Sequence, residues 1–235
     1  MQLKYINLEE VDSTNDYVKR NADLLEDGTV VTAKRQTLGR GRMGRSFLSP
    51  EGGAYMTLLL KRVKKEIVEF ITPMVAVAVA EAIEPFTLGK VQIKWVNDVL
   101  INGKKVCGIL CESKYSCGEA EYVAVGIGIN VNLPNGGFDK EIKETATSIT
   151  ETQNSNLIQE IIISVTNKFI KSYENFDAVQ IVERYRKRDC LTGKTVTIRI
   201  GENTIEGEAV GINDKCNLIV KTTDGIKTVL SGTLH

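Results

Sequence analysis

Glycine alternates with arginine three times between Gln36 and Phe47, in Gln36-Thr37-Leu38-Gly39-Arg40-Gly41-Arg42-Met43-Gly44-Arg45-Ser46-Phe47. Arginine supplies permanently charged, fork-shaped donors that match phosphate and carboxylate, and glycine lets backbone come close to a ligand. Three forks on one loop suit closure over a small polyanion. A loop of this kind, taken alone, is more often a solvated or nucleic-acid-binding segment, so a second cluster matters. Lys94-Trp95-Val96-Asn97-Asp98 leads into Asn102-Gly103, flanked by Val99–Ile101 and Val106–Leu110, which is the type I′ hairpin signature. A two-residue turn there sets Leu100 opposite Lys105 and Asp98 opposite Cys107. Asp98 and Lys105 then become diagonal neighbours on one face, within reach of each other or of one ligand. As a bare surface ion pair they would contribute only about 0–1 kcal/mol.

Two other motifs carry less. Gly126-Ile127-Gly128 is too short for a dinucleotide fingerprint, because Val131 stands where a third glycine is required. It suits a strand packed closely against another backbone, which lining a narrow pocket also demands. Leu191-Thr192-Gly193-Lys194-Thr195 resembles a phosphate-binding-loop ending, but Arg188 occupies the earlier glycine position and the context is a β run.

These groups must be positioned by a framework that the hydrophobic pattern outlines. Lys4–Leu8 reads as a strand, followed by a helix from a Ser13 cap, with Asp16 three residues on, to about Leu25. Val30–Lys34 and Ala54–Lys61 read as strands. Thr72-Pro73 reads as a helix start, Pro at the first helical position, with Met74–Ile83 as the body. Val91–Trp95 and Glu121–Asn132 are strands, and Ile161, Val165, Phe169 and Tyr173 mark a helix over Leu157–Tyr173. Past Arg188 four short β-rich runs, Val196–Ile200, Ile205–Ile212, Leu218–Lys221 and Lys227–Leu230, are separated by turn signals. The expectation is an α+β domain over residues 1–188 and a small β-barrel over 189–235.

Composition excludes several classes. Lys+Arg 30 balance Asp+Glu 30, so the basic footprint of a non-specific nucleic-acid binder is missing. No signal peptide is visible at the N-terminus, and the longest apolar stretch, Met74–Ala80, is far short of the ~20 residues of a membrane span. Five cysteines, Cys107, Cys111, Cys117, Cys190 and Cys216, lack a CxxC spacing and read as reduced thiols of a cytoplasmic protein. The single histidine is His235, which argues against a histidine triad or zinc centre, and no metal-ligand set is expected.

In this order, Ser13-Thr14-Asn15, the glycine–arginine loop, Lys94–Asp98, Lys105, Gly108-Ile109-Leu110, Gly126–Asn130 and Ala146-Thr147-Ser148 resemble the motifs of biotin–protein ligases, over nearly the whole chain. The resemblance implies a mixed sheet with flanking helices of the class II aminoacyl-tRNA synthetase/biotin ligase type plus an SH3-like C-terminal barrel. It implies the monofunctional biotin–[acetyl-CoA-carboxylase] ligase reaction: biotin and ATP, with Mg²⁺ on the phosphates, give biotinyl-5′-AMP, and biotin then passes to a lysine of a biotin carboxyl carrier domain. By the same resemblance Lys105, Arg42 and Asp98 are catalytic, Asp98 through the acceptor amine or the Mg²⁺. Ser13, Thr14, Asn15, Gln36, Gly39, Arg40, Gly41, Arg42, Lys105, Gly108, Gly126 and Gly128 line the biotin slot, and Arg45, Phe47, Asn97 and Asn130 meet ATP.

Two departures stand out: Val96 where proline is usual, and Phe47 where tryptophan is usual, which keeps an aromatic face for adenine. A lipoate–protein ligase is the nearest alternative, disfavoured by the full arginine loop. A bifunctional repressor would need a DNA-binding module ahead of Tyr5, so no specific DNA binding is expected. A non-catalytic biotin binder would not need Arg45, Asn97 or Asn130. A strand edge could support a homodimer, as in many relatives.

Overall fold

The computed structural model describes residues 1–116 and 118–234; Cys117 and His235 lie outside the described residues. Seven strands form a mixed sheet in the order β1-β2-β3-β7-β6-β5-β4. Strand β1 (Lys4–Val11) runs parallel to β2 (Thr29–Gln36), and helix α1 (Thr14–Asn21) makes the crossover between them. The remaining pairs, through β3 (Ala54–Val63), β7 (Glu119–Ile129), β6 (Lys104–Ser116), β5 (Asp98–Ile101) and β4 (Val91–Lys94), are antiparallel.

Strand β3 reads Ala-Tyr-Met-Thr-Leu-Leu-Leu and is buried on both faces. Its alternation divides the molecule. Met56, Leu58 and Leu60 enter the main core, with α2 (Lys65–Ile83), α3 (Ser155–Glu174) and α4 (Ala178–Arg186) packed over it. Leu59 joins Val18, Ala22, Val31, Tyr122 and Ala124 in a smaller cluster beneath α1. The candidate site residues of the sequence motifs gather on this second face, beside α1.

The structure corrects three expectations. Helix α1 stops at Asn21, not Leu25, because the amides of Leu24 and Leu25 turn back onto the Asn21 carbonyl. Helix α2 begins at Lys65, with Pro73 inside it. Phe70 and Ile71 are already buried upstream of the proline, and that apolar face outweighs a proline cost of about 3 kcal/mol. In the hairpin, Asp98 faces Gly108 rather than Cys107, because a bulge falls between Val99 and Leu100. The bulge frees the start of β6 to pair elsewhere: the Lys105 amide donates to Thr145 O at 2.7 Å, and the Thr147 amide to Lys105 O at 2.9 Å.

After α4 a five-stranded antiparallel sheet follows in the order β11-β10-β9-β8-β12. It comprises β8 (Thr195–Ile200), β9 (Asn203–Ile212), β10 (Leu218–Thr222), β11 (Gly225–Val229) and β12 (Thr233–Leu234). The sequence pattern shows four of these; two-residue β12 is too short to carry a period. This is the SH3-like unit, and its core residues Val196, Ile198, Leu218 and Val220 belong to the same apolar cluster as the large sheet. Trp95 Nε1 donates to Cys216 O at 2.9 Å, and the Cys190 amide donates to Ile93 O. Among the described residues no helix is long and apolar enough to cross a membrane.

Candidate active site

The register builds the floor of the site. Across the sheet, Asp98 faces Gly108, Gly108 faces Gly128, and Gly128 faces Tyr55; in the next row Leu110, Gly126 and Thr57 align. The glycines open a trough in an otherwise side-chain-filled face. A Cβ at Gly126 would lie 2.1 Å from Asn15 Oδ1, and one at Gly128 would lie 2.6 Å from the Phe47 ring. Gly126 therefore admits the Asn15 carboxamide, whereas Gly108 and Gly128 form the seat of Phe47. That ring makes an edge contact with Tyr55, with centroids 6.5 Å apart.

All sixteen residues that line one pocket fall within the sequence motifs: Ser13, Thr14, Asn15, Gln36, Arg40, Gly41, Arg42, Phe47, Asn97, Lys105, Gly108, Ile109, Leu110, Gly126, Ile127 and Gly128. Gly39, Arg45, Asp98 and Asn130 lie outside this lining. Gly39 is buried, and a Cβ there would meet Phe47 O and Ser49 Oγ at 2.3 and 2.5 Å. Arg45 projects into solvent, its carbonyl accepting from the Gly41 amide. Asn130 Nδ2 donates to Thr147 O at 3.0 Å, fastening the 145–147 segment to the end of β7.

The pocket has a polar end and a cationic end. At the polar end Ser13 caps α1 through the Asp16 amide. The Thr14 amide donates to Gln36 Oε1 at 2.9 Å, and Gln36 Nε2 to Ser49 Oγ at 2.8 Å. Asn15, nearly fully buried, accepts from Thr57 Oγ1 at 2.6 Å and donates to Leu110 O and Glu112. At the cationic end Lys105 Nζ sits 2.7 Å from Asp98 Oδ1 and 5.9 Å from the Phe47 ring centroid. Arg42 Nη1 donates to Asn97 Oδ1 at 2.8 Å and Nη2 to Gly232 O at 3.3 Å. Burial holds the Arg42 guanidinium below its ordinary value, partly offset by Asp98; an anion in the pocket would relieve that cost.

The arginine loop is a short hairpin. Arg40 bridges Ser46, the Phe47 amide donates to Gly39 O, and Gln36 bridges Ser49. Met43 takes the left-handed conformation at its tip. Its base is tied to α1, where Arg40 Nε contacts Asp16 Oδ2 at 2.7 Å.

Sequence reasoning missed Thr57, Ser49, Glu112 and Lys19, and gave Asp16 only a place in the helix cap, not its pairing with Arg40 and Lys19. Thr57 was detectable as the polar residue in the apolar run of β3. Glu112 lies two residues beyond Leu110, hence on the same face as Gly108; the others depend on the fold.

Two expectations concern this region. Gly128→Val should displace Phe47 and fill the trough, lowering turnover by about tenfold or more. Pyrophosphate release alongside a thermal melt checks this, and an active, unperturbed variant would show that the trough is not used. At the entry to α1, hydrogen bonding to Arg20 holds the Asp12 carboxyl down from 3.8 to about 2, with contacts of 2.6 and 2.8 Å. A depressed carboxyl stabilises the fold above its unfolded value and loses that contribution as pH falls toward 2. The pair is largely exposed, so it contributes at most about 1 kcal/mol. Asp12→Asn should flatten the stability loss between pH about 4 and 2 in urea titrations; an unchanged acid limb would contradict it.

Residues 8–130 match the model of the Biotin/lipoate A/B protein ligase family, and residues 191–233 match the biotin protein ligase C-terminal domain. The chain belongs to the biotin/lipoate protein ligase family. Among its relatives, the Biotin--[acetyl-CoA-carboxylase] ligase of Paracoccus denitrificans is 30% identical over 94% of this chain and 96% of that protein. The bifunctional ligase/repressor BirA of Bacillus subtilis is 34% identical over 89% of this chain, which spans 66% of its length. In structure, the biotin protein ligase of Aquifex aeolicus in complex with biotin and ATP superposes with TM-score 0.81 at 33% identity, covering 99% and 97% of the two chains.

Proposed function

We propose that this protein is an ATP-dependent biotin–protein ligase of the biotin–[acetyl-CoA-carboxylase] ligase type. The observation that carries the reading is one pocket with a hydrogen-bonding end and a cationic end. The first suits biotin's ureido head; the second, formed by Lys105 and Arg42, suits the meeting of a carboxylate and a phosphate. Biotin's carboxylate oxygen attacks the α-phosphorus of ATP; the bond to the bridging oxygen breaks, leaving pyrophosphate and biotinyl-5′-AMP. The ε-amine of a carrier-domain lysine then attacks the activated carbonyl, AMP departs, and a proton is lost. Neither step needs an enzyme nucleophile, so positioning and charge neutralisation supply the catalysis.

Lys105 neutralises the reacting anions, and Asp98 aims it. Arg40 and Arg42 hold the adenylate under the loop, while Arg45, exposed at the hairpin, meets the ATP phosphates. Phe47 and Asn97 serve the nucleotide, and Asn130 acts through the segment it fastens. Mg²⁺ enters with the ATP phosphates: Asp98 and Asp16 beside the pocket are each engaged by a cation, a donor set that fits a phosphate-borne ion rather than a resident one. The acceptor is a biotin carboxyl carrier domain. Residues 1–188 form the catalytic unit and 189–235 the appended barrel. The free thiols Cys107, Cys111, Cys190 and Cys216 suit the cytoplasm, and the outer edge of β1 suits a homodimer.

The test is ATP-dependent incorporation of labelled biotin into a carrier domain, with lipoate in parallel. Biotin incorporation with lipoate rejected is expected; the reverse preference would move the protein to the lipoate branch of the family.

A further inference from the structure

The hydrogen bonds below the pocket form one directed chain, and a residue outside the pocket sets its direction. Glu112 on β6 accepts from Lys19 Nζ on Oε1 at 2.8 Å and from Asn15 Nδ2 on Oε2 at 2.9 Å. Asn15 Nδ2 spends its other hydrogen on Leu110 O, so Asn15 Oδ1 must point at Thr57. That oxygen only accepts, so the Thr57 hydroxyl donates to it, at 2.6 Å. With its hydrogen spent, Thr57 Oγ1 can only accept from the Thr14 hydroxyl, 2.8 Å away, whose single hydrogen has Gln36 Oε1 at 3.1 Å as its other acceptor. Gln36 Oε1 faces the amide and the hydroxyl of Thr14, at 2.9 and 3.1 Å, so its carboxamide orientation is set, and Nε2 keeps one N–H beyond the one given to Ser49. The pocket thereby meets its ligand with the Asn15 carboxamide and a free Gln36 N–H already oriented.

We propose that Glu112 is the positioning residue of the polar end: its two acceptor oxygens lock Asn15 and, through Thr57, preset the donors and acceptors that select biotin's head. This inference rests on the biotin ligase reading above. Only a carboxylate can accept on both sides. An isosteric glutamine must turn its NH₂ either against the Lys19 ammonium or against the Asn15 amide, and either choice places donor against donor.

Calorimetry and steady-state kinetics on the full chain test this, with thermal melts alongside. Glu112→Gln should raise the Kd and KM for biotin about tenfold or more while leaving KM for ATP within about twofold. Adding Lys19→Met removes the competing ammonium, lets the glutamine oxygen face Asn15, and should recover most of the biotin affinity. Glu112→Gln binding biotin like the wild type would overturn the inference. So would an equal loss for ATP, failure of the double variant to recover, or loss of cooperative melting, which would make Glu112 a residue of the fold. The wild type is titrated first: absence of biotin binding there defeats the ligase reading itself, whereas an unaffected Glu112→Gln defeats only this inference.

Discussion

Replacing Lys105 by alanine should abolish biotinyl-5′-AMP formation, a loss of about 10²–10³-fold or more in pyrophosphate release, with melting nearly unchanged. Lys105 stands at the hairpin bulge with its side chain 37% exposed, so truncation opens no core. The hydrogen bonds that hold this part of β6 come from its backbone, through Thr145 and Thr147. What disappears is the ammonium 2.7 Å from Asp98. Without it the carboxylate is left beside two approaching anions, and three negative groups converge in a partly desolvated trough where Coulomb repulsion is poorly screened. Lys105→Arg keeps the charge but spreads it over a plane, so it should restore binding better than turnover. Pyrophosphate release by Lys105→Ala at near the wild-type rate would remove Lys105 from the chemistry.

How much of this was legible in the sequence depends on the range of the interactions. The hairpin of β5 and β6 is announced by Asn102-Gly103, and the diagonal pairing of Asp98 with Lys105 follows from period 2. The bulge that replaces Cys107 by Gly108 opposite Asp98 does not, because it goes with a pairing of Lys105 to the 145–147 segment some forty positions away. The proline rule places the start of α2 too late for a related reason. Rules for Pro are local, while the burial that extends the helix upstream is tertiary. Glycine motifs were legible as close approaches, but what approaches is not: Gly126 makes room for Asn15, and Gly128 for Phe47. Glu112 shows the same limit. Its face can be counted from Leu110, yet its role needs Lys19 and Asn15, brought to it by a helix nearly a hundred residues earlier in the chain.

The barrel illustrates a last difference between motif positions and side-chain reach. Every lining residue falls between Ser13 and Gly128, which suggests a slot independent of the C-terminal unit. Arg42 breaks that independence. Its guanidinium spans from Asn97 in the turn between β4 and β5 to Gly232 O beside β12, so the loop is closed from both units at once.

Arg42→Gly should therefore separate activation from retention. Lys105 remains to support adenylate formation, but the loop loses two charge-assisted hydrogen bonds, each worth about 1.5–3 kcal/mol in a partly buried setting. Together, about 3–6 kcal/mol corresponds to a residence time of the intermediate shortened by about 10²–10⁴-fold. Biotinyl-5′-AMP then leaves before a carrier domain docks and acylates exposed lysines on any protein nearby. The check is a mixture of carrier domain and an unrelated lysine-rich protein, with biotin on each followed over time. Bystander labelling that rises in the variant while carrier labelling falls is the expected result. Labelling confined to the carrier domain in both proteins would mean that the Arg42 bridge to Asn97 and Gly232 does not hold the intermediate.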